Sequence, residues 1–468
     1  MSASANEGVQ SALSVAAAVR SGRTTATRTV QEALERIKAV DGAINAFTAV
    51  LAERALSQAR DLDAAIAAGK SPGPLAGVPF AVKNLFDVAG LTTIAGSSIL
   101  ASAPPAGRDA MLVRQLSAAG AILVGALNMD EFAFGFSTQN THYGVTHNPH
   151  APERVAGGSS GGAAAAVAAG MVPIALGSDT NGSIRVPAAL CGVFGLKPTY
   201  GRLGRSGTQL FVASLDHVGP FARSTSDLAA IYDLLQGTDV DDPVSAARPV
   251  ERVTPALERG IGGLRIGVAS GYFEHMGFPE AFEAVSAVAN ALGATKRVDV
   301  PEAATARAAA MIMTAAEGAE LHMSSLRERL GDFDPMTRHL FLSGAMIPAA
   351  WYVRAQRFRR RFCAEMSRLF GEVDVILAPA TPYPAFPIGQ AMVRIGATDL
   401  PSAAHLGVFT QPFSFAGLPV IAAPVAHQGA LPLGIQIVAA PWREDLAFRV
   451  ARAAEQSGAV ALHPLRKS

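Results

Sequence analysis

Apolar positions recur along this chain with two periods. Over residues 29–40, Val30, Leu34 and Ile37 share one face while Glu32, Glu35 and Arg36 fall on the other, which predicts an amphipathic helix. A second helix is expected over 46–68, closed by the turn-rich Ser71-Pro-Gly-Pro-Leu-Ala-Gly77. Short apolar runs at 78–82, 121–124 and 172–176 suit buried strands. Between them, 109–118 and the Ala-rich 163–169 read as helices. The second half continues the alternation. Strands are expected at 264–268, 298–300, 373–377, 420–424 and 433–439, and helices at 278–292, 303–330, 349–369 and 446–456. The Pro-rich 379–387 reads as a loop. Alternating helices and strands define an α/β protein. No internal repeat and no long polar linker interrupt it, so residues 1–468 form one expected domain, with N-terminal helices (about 1–70) packed on the core.

Composition sharpens this picture. Half of the 468 residues are hydrophobic and 16% are charged, against about 25% in an average soluble protein. One large core is therefore favoured over a string of small modules. A net charge of +1 argues against nucleic acid as a partner. The run Arg354–Arg361 (RAQRFRRR) lies on a predicted helix and reads as a solvated or partner-facing surface. Two cysteines exclude a disulfide framework. No basic segment followed by an apolar stretch opens the chain, and the small-apolar run 161–176 is too short to span a bilayer. A soluble cytoplasmic protein without membrane contact is expected. His142, His147 and His150 fall in a Pro-containing loop without metal-ligand spacing, so no metal is expected, nor any cofactor.

Candidate chemistry concentrates between Gly157 and Arg202. Ser159 and Ser160 lie in GGSSGG, and Ser183 lies in the loop 177–183, where small residues leave consecutive backbone N–H groups unshielded. Such an array can hold a developing oxyanion, and a serine within it is equipped for acyl transfer. Gly157–Gly161 also satisfies G-x-S-x-G, the nucleophile elbow of α/β-hydrolases. That reading uses Ser159 and needs a downstream acid and histidine, for which His405 or His427 has the right order. It gives no task to Asp179–Arg185. Upstream, Lys83 ends the apolar run 78–82. Apolar burial depresses an amine, and a base working near neutrality needs about 4 kcal/mol of bias against the charged form. Asp130 and Glu131 are adjacent carboxylates, which on a helix would point in different directions.

The whole stretch, GGSSGG…GSD…GSIR…P…CG..GLKPT.GR, resembles the signature of the amidase signature family. Ala76-Gly-Val-Pro-Phe-Ala-Val-Lys83 is similar to that family's GVP.AVK segment. The resemblance implies a central mixed, twisted sheet covered by helices on both faces, with a signature core over about 76–225. It also implies a catalytic set of Ser183 as nucleophile, Ser159 on a cis peptide bond, and Lys83 as base. The backbone amides of Thr180, Asn181, Gly182 and Ser183 would form the oxyanion hole. Ser160, Asp179 and Arg185 would support the loop, Arg185 with the alternative of meeting an anionic substrate. Many relatives carry GSDTGGSIR, whereas this chain has Asn181, whose amide adds a donor and an acceptor.

Asn128–Gly144, AWYVRAQRFRR and Thr410–Gly417 extend the resemblance to a branch of the family that acts on small ureido amides. That branch converts 1-carboxybiuret to urea-1,3-dicarboxylate and ammonia and works with a small helical partner subunit, as a hetero-oligomer or around a homodimer. Asn181, Arg185, Met129 and Arg338 are the substrate-binding candidates. The NMDEF and TQN segments within Asn128–Gly144 also resemble the glutaminase component of tRNA-dependent amidotransferases, the alternative reading. A non-catalytic scaffold is disfavoured by the presence of Lys83, Ser159 and Ser183.

Overall fold

Side-chain alternation along the strands sets the two faces of the sheet. In the computed structural model, which describes residues 11–426 and 431–465, Phe80 and Val82 enter one apolar cluster and Ala81 enters another. Ile174 and Leu176 against Ala175 repeat this division one strand away.

The first half contributes β1 (Phe47–Val50), β2 (Pro79–Lys83), β3 (Ile122–Leu127), β4 (Ile174–Asp179), β5 (Phe194–Lys197) and β6 (His217–Ala222). The second half adds β7 (Ile266–Ser270), β8 (Lys296–Asp299), β9 (Val375–Pro379), β10 (Val420–Pro424) and β11 (Gly434–Ala439). Together they form one 11-stranded sheet in the order β1-β3-β2-β4-β6-β5-β10-β11-β9-β7-β8. The strands β3, β2 and β4 are parallel, as are β9, β7 and β8, and antiparallel pairs join the two sets. The sheet is therefore mixed, as the resemblance implied.

Helices cover both faces. Val30 and Ile37 of Ala26–Ile44, Ala55 and Ala59 of Ala52–Ala67, and the whole of Gly161–Ala168 bury against one face. Leu112 and Leu116 of Met111–Ala118, Leu228 and Ile231 of Thr225–Leu235, and Val450 of Glu444–Gln456 bury against the other. The helix Gly161–Ala168 packs closely because its residues are small. A Cβ on Gly162 would lie 2.6 Å from the carbonyl oxygens of Ala46 and Asn128.

Several boundaries differ from those expected. The helix read over 46–68 begins as the edge strand β1. Asn45 terminates the preceding helix in a left-handed conformation, and Ala49 pairs with Ala126. The helix read over 303–330 breaks at His322 into Ala303–Leu321 and Met323–Glu328. Ala12–Arg20 is a helix the apolar pattern did not reveal, and Asp227 accepts from its first two N–H groups. The helix expected over 349–369 runs as Ala349–Glu372. Phe362 is buried in it, and Phe358 and Phe362 pack on Phe415. Met313 is core, whereas Met311 faces a cavity. Among the described residues no helix is long and apolar enough to cross a membrane.

Candidate active site

Strand β2 delivers Lys83 to the C-terminal edge of the sheet, where it is wholly buried. Its parallel neighbour β4 runs on to Asp179, three residues beyond the strand expected over 172–176. The segment 177–183 is thus half strand and half loop. Gly177–Asp179 pair with β6, and Ser178 presents its hydroxyl to Lys83. Lys83 Nζ lies 2.7 Å from Ser159 Oγ and 2.9 Å from Ser178 Oγ. Burial pulls the amine down to about 7, against the opposing pull of Asp130, Asp216 and Asp179. A buried amine poised there is neutral for a large part of the time at neutral pH and can accept a proton.

Ser159 follows a cis peptide bond from Gly158. The Ser160 hydroxyl donates to Ser178 O at 3.1 Å and accepts from Ser178 N at 3.3 Å, tying the serine loop to β4. Ser160 N donates to the carbonyl of Ser183 at 3.2 Å, which brings the two serine-bearing loops together. The preceding strand, Ala151–Val155, belongs to a two-stranded ribbon, so Gly157–Gly161 is not a turn leaving the central sheet. His405 bonds Met276 O, and no described histidine contacts either serine. His427 lies outside the described residues. The nucleophile-elbow reading has no described histidine to serve it.

Among the described residues, no hydrogen bond is donated by the backbone N–H groups of Thr180, Asn181, Gly182 or Ser183. The loop is nonetheless held firmly. Thr180 Oγ1 donates to Asp216, and Thr410 Oγ1 donates to Asn181 O at 2.6 Å. Gly182 adopts a φ of 142°, and a Cβ there would fall 2.3 Å from Thr410 Oγ1. Asn181 itself is not left-handed.

Below the loop Arg185 and Asp179 form a buried bidentate pair, with Nη2 at 2.9 Å and Nε at 3.0 Å. Arg185 also donates to Thr410 O, Gln436 and Ser414. Burial would raise the Asp179 carboxyl, yet the guanidinium overrides it and holds Asp179 well below the usual range. With its donors engaged and no exposure, Arg185 has no route to a substrate, which corrects that alternative.

The loop opens on a cavity of about 560 Å³ lined by Ser183, Thr180, Asn181, Asp130, Gln139 and a largely apolar far wall. Met311 and Thr314 come from Ala303–Leu321, and Met336, Thr337, His339 and Leu340 from Pro335–Ala345. Two other expected contacts are corrected. Met129 is buried in the core, where β3 has just ended, and does not line the cavity. Arg338 turns to Phe333 O at 3.1 Å and does not line it either.

Asp130, one of the two adjacent carboxylates, belongs here. Its backbone is extended and Glu131–Ala133 is a 3-10 turn, so the two carboxylates diverge. Glu131 accepts from Ser97, Thr337 and Asp334 N. Asp130 N donates to Ser159 O at 3.3 Å, and its carboxylate accepts from Thr138 N and acts electrostatically on the Lys83 amine. Burial raises it to about 6. The three loop histidines have separate partners: Glu131 for His142, Pro152 O for His147 and Cys191 O for His150.

A buried lysine against one serine, and a second serine beside open backbone amides at the mouth of a cavity, suit serine-dependent acyl transfer. Residues 28–448 match the family described as Amidase, and the chain belongs to the amidase signature family, hydrolases acting on amide C–N bonds. It is 52% identical over 442 residues to AtzE, the 1-carboxybiuret hydrolase subunit of Pseudomonas sp. strain ADP, covering 94% of this chain and 97% of the relative. It is 39% identical over 462 residues to a glutamyl-tRNA(Gln) amidotransferase subunit of Chloroflexus aurantiacus, covering 93% of each. Among solved structures it resembles an inhibitor-bound vestigial protein complex tied to the origins of an s-triazine catabolic enzyme. There the TM-score is 0.95 at 50% identity, covering 97% of this chain and all of the other.

Proposed function

We propose that this chain hydrolyses the terminal amide of a small ureido compound, 1-carboxybiuret, to urea-1,3-dicarboxylate and ammonia. Lys83 takes the proton of Ser159 as Ser159 takes that of Ser183. The Ser183 oxygen attacks the carbonyl carbon, and the oxyanion forms against the amides of Thr180–Ser183. Each such donor is worth about 3 kcal/mol to the transition state. The proton returns through Ser159 to the leaving nitrogen, the C–N bond breaks and ammonia departs. Water then attacks the acyl-enzyme along the same relay and releases the carboxylate. The observation that carries this reading is the buried, near-neutral Lys83 at 2.7 Å from Ser159 Oγ. The substrate rests on the 52% identity to a 1-carboxybiuret hydrolase subunit.

The reading includes a small helical partner subunit in a hetero-oligomer. It is supported by the large apolar side chains Leu321, Leu342, Met346, Trp351 and Val353, all exposed between residues 321 and 353, with Met346 83% exposed. Exposed apolar surface is what a protein interface covers. The test is ammonia release by the chain alone and by the chain co-expressed with its helical partner. The expected result is a stoichiometric complex that turns over 1-carboxybiuret faster than glutamine. Preference for glutamine with stimulation by tRNA would replace this reading with the glutaminase one. A stable and fully active lone chain would remove the partner.

A further inference from the structure

One polar atom at the site has no part in the acyl transfer described above. Asn181 is 5% exposed and lines the cavity beside Ser183. The residue is held at two points, one on its side chain and one on its backbone. Nδ2 donates to Thr314 Oγ1 at 2.7 Å across the cavity wall, and the backbone carbonyl is held by Thr410. That leaves Oδ1 buried with no hydrogen-bond partner among the described residues. Phe134, Phe136, Phe211 and Met311 share this lining, and none of its polar side chains donates to Oδ1. An acceptor left unmet in such surroundings weakens the equilibrium it burdens by about 10- to 100-fold. A ligand that brings an N–H to this atom recovers that factor.

The geometry of acyl transfer says where on the ligand the N–H sits. A scissile amide carbon has three substituents. Its oxygen turns to the amides of Thr180–Ser183 and its leaving nitrogen to the Ser159 side, where the proton arrives. The third substituent, on the acyl side, extends into the cavity between the loop and the helix Ala303–Leu321, the gap that the Asn181–Thr314 bond spans. We infer that Asn181 Oδ1 accepts the N–H on the acyl side of the scissile carbonyl, so that the site selects ureido amides, R–NH–CO–NH2, over alkyl carboxamides, R–CH2–CO–NH2. This rests on Ser183 being the nucleophile. Sites built to pair a substrate N–H reject the analogue that lacks it far more strongly than an apolar pocket rejects a missing methylene.

Biuret and malonamide form the probe pair, since they differ only by NH against CH2 at this position. Binding of each is measured by calorimetry to the Ser183→Ala chain, so that turnover plays no part. Biuret should bind about 10- to 100-fold tighter. In Ser183→Ala/Asn181→Ala the gap should close through weaker biuret binding, with malonamide changed less than about threefold. Ser183→Ala/Asn181→Asp, which keeps an acceptor oxygen in place, should restore most of the gap. Equal binding of the two probes, undetectable binding of both, or equal losses for both on removing Asn181 would overturn the inference. Failure of the catalytic reading shows separately, as turnover that survives Ser183→Ala in an otherwise unaltered chain.

Discussion

The cavity has two walls of opposite character. One is built by residues 128–140 and 157–185 and carries the open backbone amides, hydroxyls and buried charge of the site, on a loop tied to neighbouring elements through Thr410 and Asp216. The other is built by the helices Ala303–Leu321 and Pro335–Ala345 and the segment 389–404, and it offers mostly apolar surface with His339 exposed. The first wall is continuous with the middle of the sheet through β2 and β4. The second wall stands on helices that also carry Leu321 and Leu342 exposed to solvent. A fixed electrostatic wall suits charge development in a transition state. A soft wall suits the choice of which acyl group reaches it. Substitutions on the first wall should therefore change rate or stability, and those on the second should change affinity.

The largest effect should follow Ser183→Ala. Loss of a nucleophile that works as a unit with its base costs on the order of 10⁴- to 10⁶-fold in kcat. The melting temperature should stay within about 2 °C, because a small hydroxyl leaves a polar loop. Ammonia release and thermal melting together check this. Substantial residual turnover would place the chemistry elsewhere on the wall.

The next effect is one of stability. Arg185→Met would strand Asp179 as a buried, unpaired charge, at a cost of about 3–5 kcal/mol. Denaturant unfolding measures it directly. The expected companion result is partial rescue by Asp179→Asn in the same chain. Without rescue, the loop is held by Thr410 and Asp216 rather than by the ion pair.

Much of the first wall was legible in the sequence, since Lys83, Ser159 and Ser183 sit in short motifs whose order and spacing are local properties. Ser178 was not, because the polar, glycine-containing 177–179 reads as loop. Its strand character comes from pairing with β6, which is distant in sequence. Asp130 was lost for a similar reason. Adjacent carboxylates on a helix would simply point apart, and the extended backbone at Asp130 with the 3-10 turn after it has no signature in the residues. Thr314 and His339 had no local signal at all, since tertiary packing alone brings their helices to the loop. The sheet's mixed topology came from the resemblance rather than from periodicity, which is blind to strand direction.

A pH profile separates the charges of the first wall from its hydroxyls. Only neutral Lys83 can accept a proton, so activity should rise through about pH 7 and fall away below it. The carboxylate of Asp130 favours the charged amine and holds its pKa up. Asp130→Asn removes that influence, lowers the Lys83 pKa and should move the acid limb to lower pH, with Asp216 and Asp179 still opposing. A limb that stays in place in Asp130→Asn, or persists in Lys83→Ala, would assign the ionisation to another group.

The smallest effect should come from the second wall. Among the described lining residues, Asp130 and His339 are the ionisable side chains, and no lysine or arginine is present. A carboxylated substrate therefore meets one group able to carry positive charge, and that group is exposed on Pro335–Ala345. Exposed ion pairs contribute about 0–1 kcal/mol, which limits the consequence of His339→Ala to about a fivefold rise in KM. The rise should appear with 1-carboxybiuret and be absent with neutral biuret, and kcat should hold in both cases. Steady-state kinetics on the pair decides it. A change in kcat would show that the two walls are coupled, because a residue of the soft wall would then be shaping the transition state rather than the entry of the substrate.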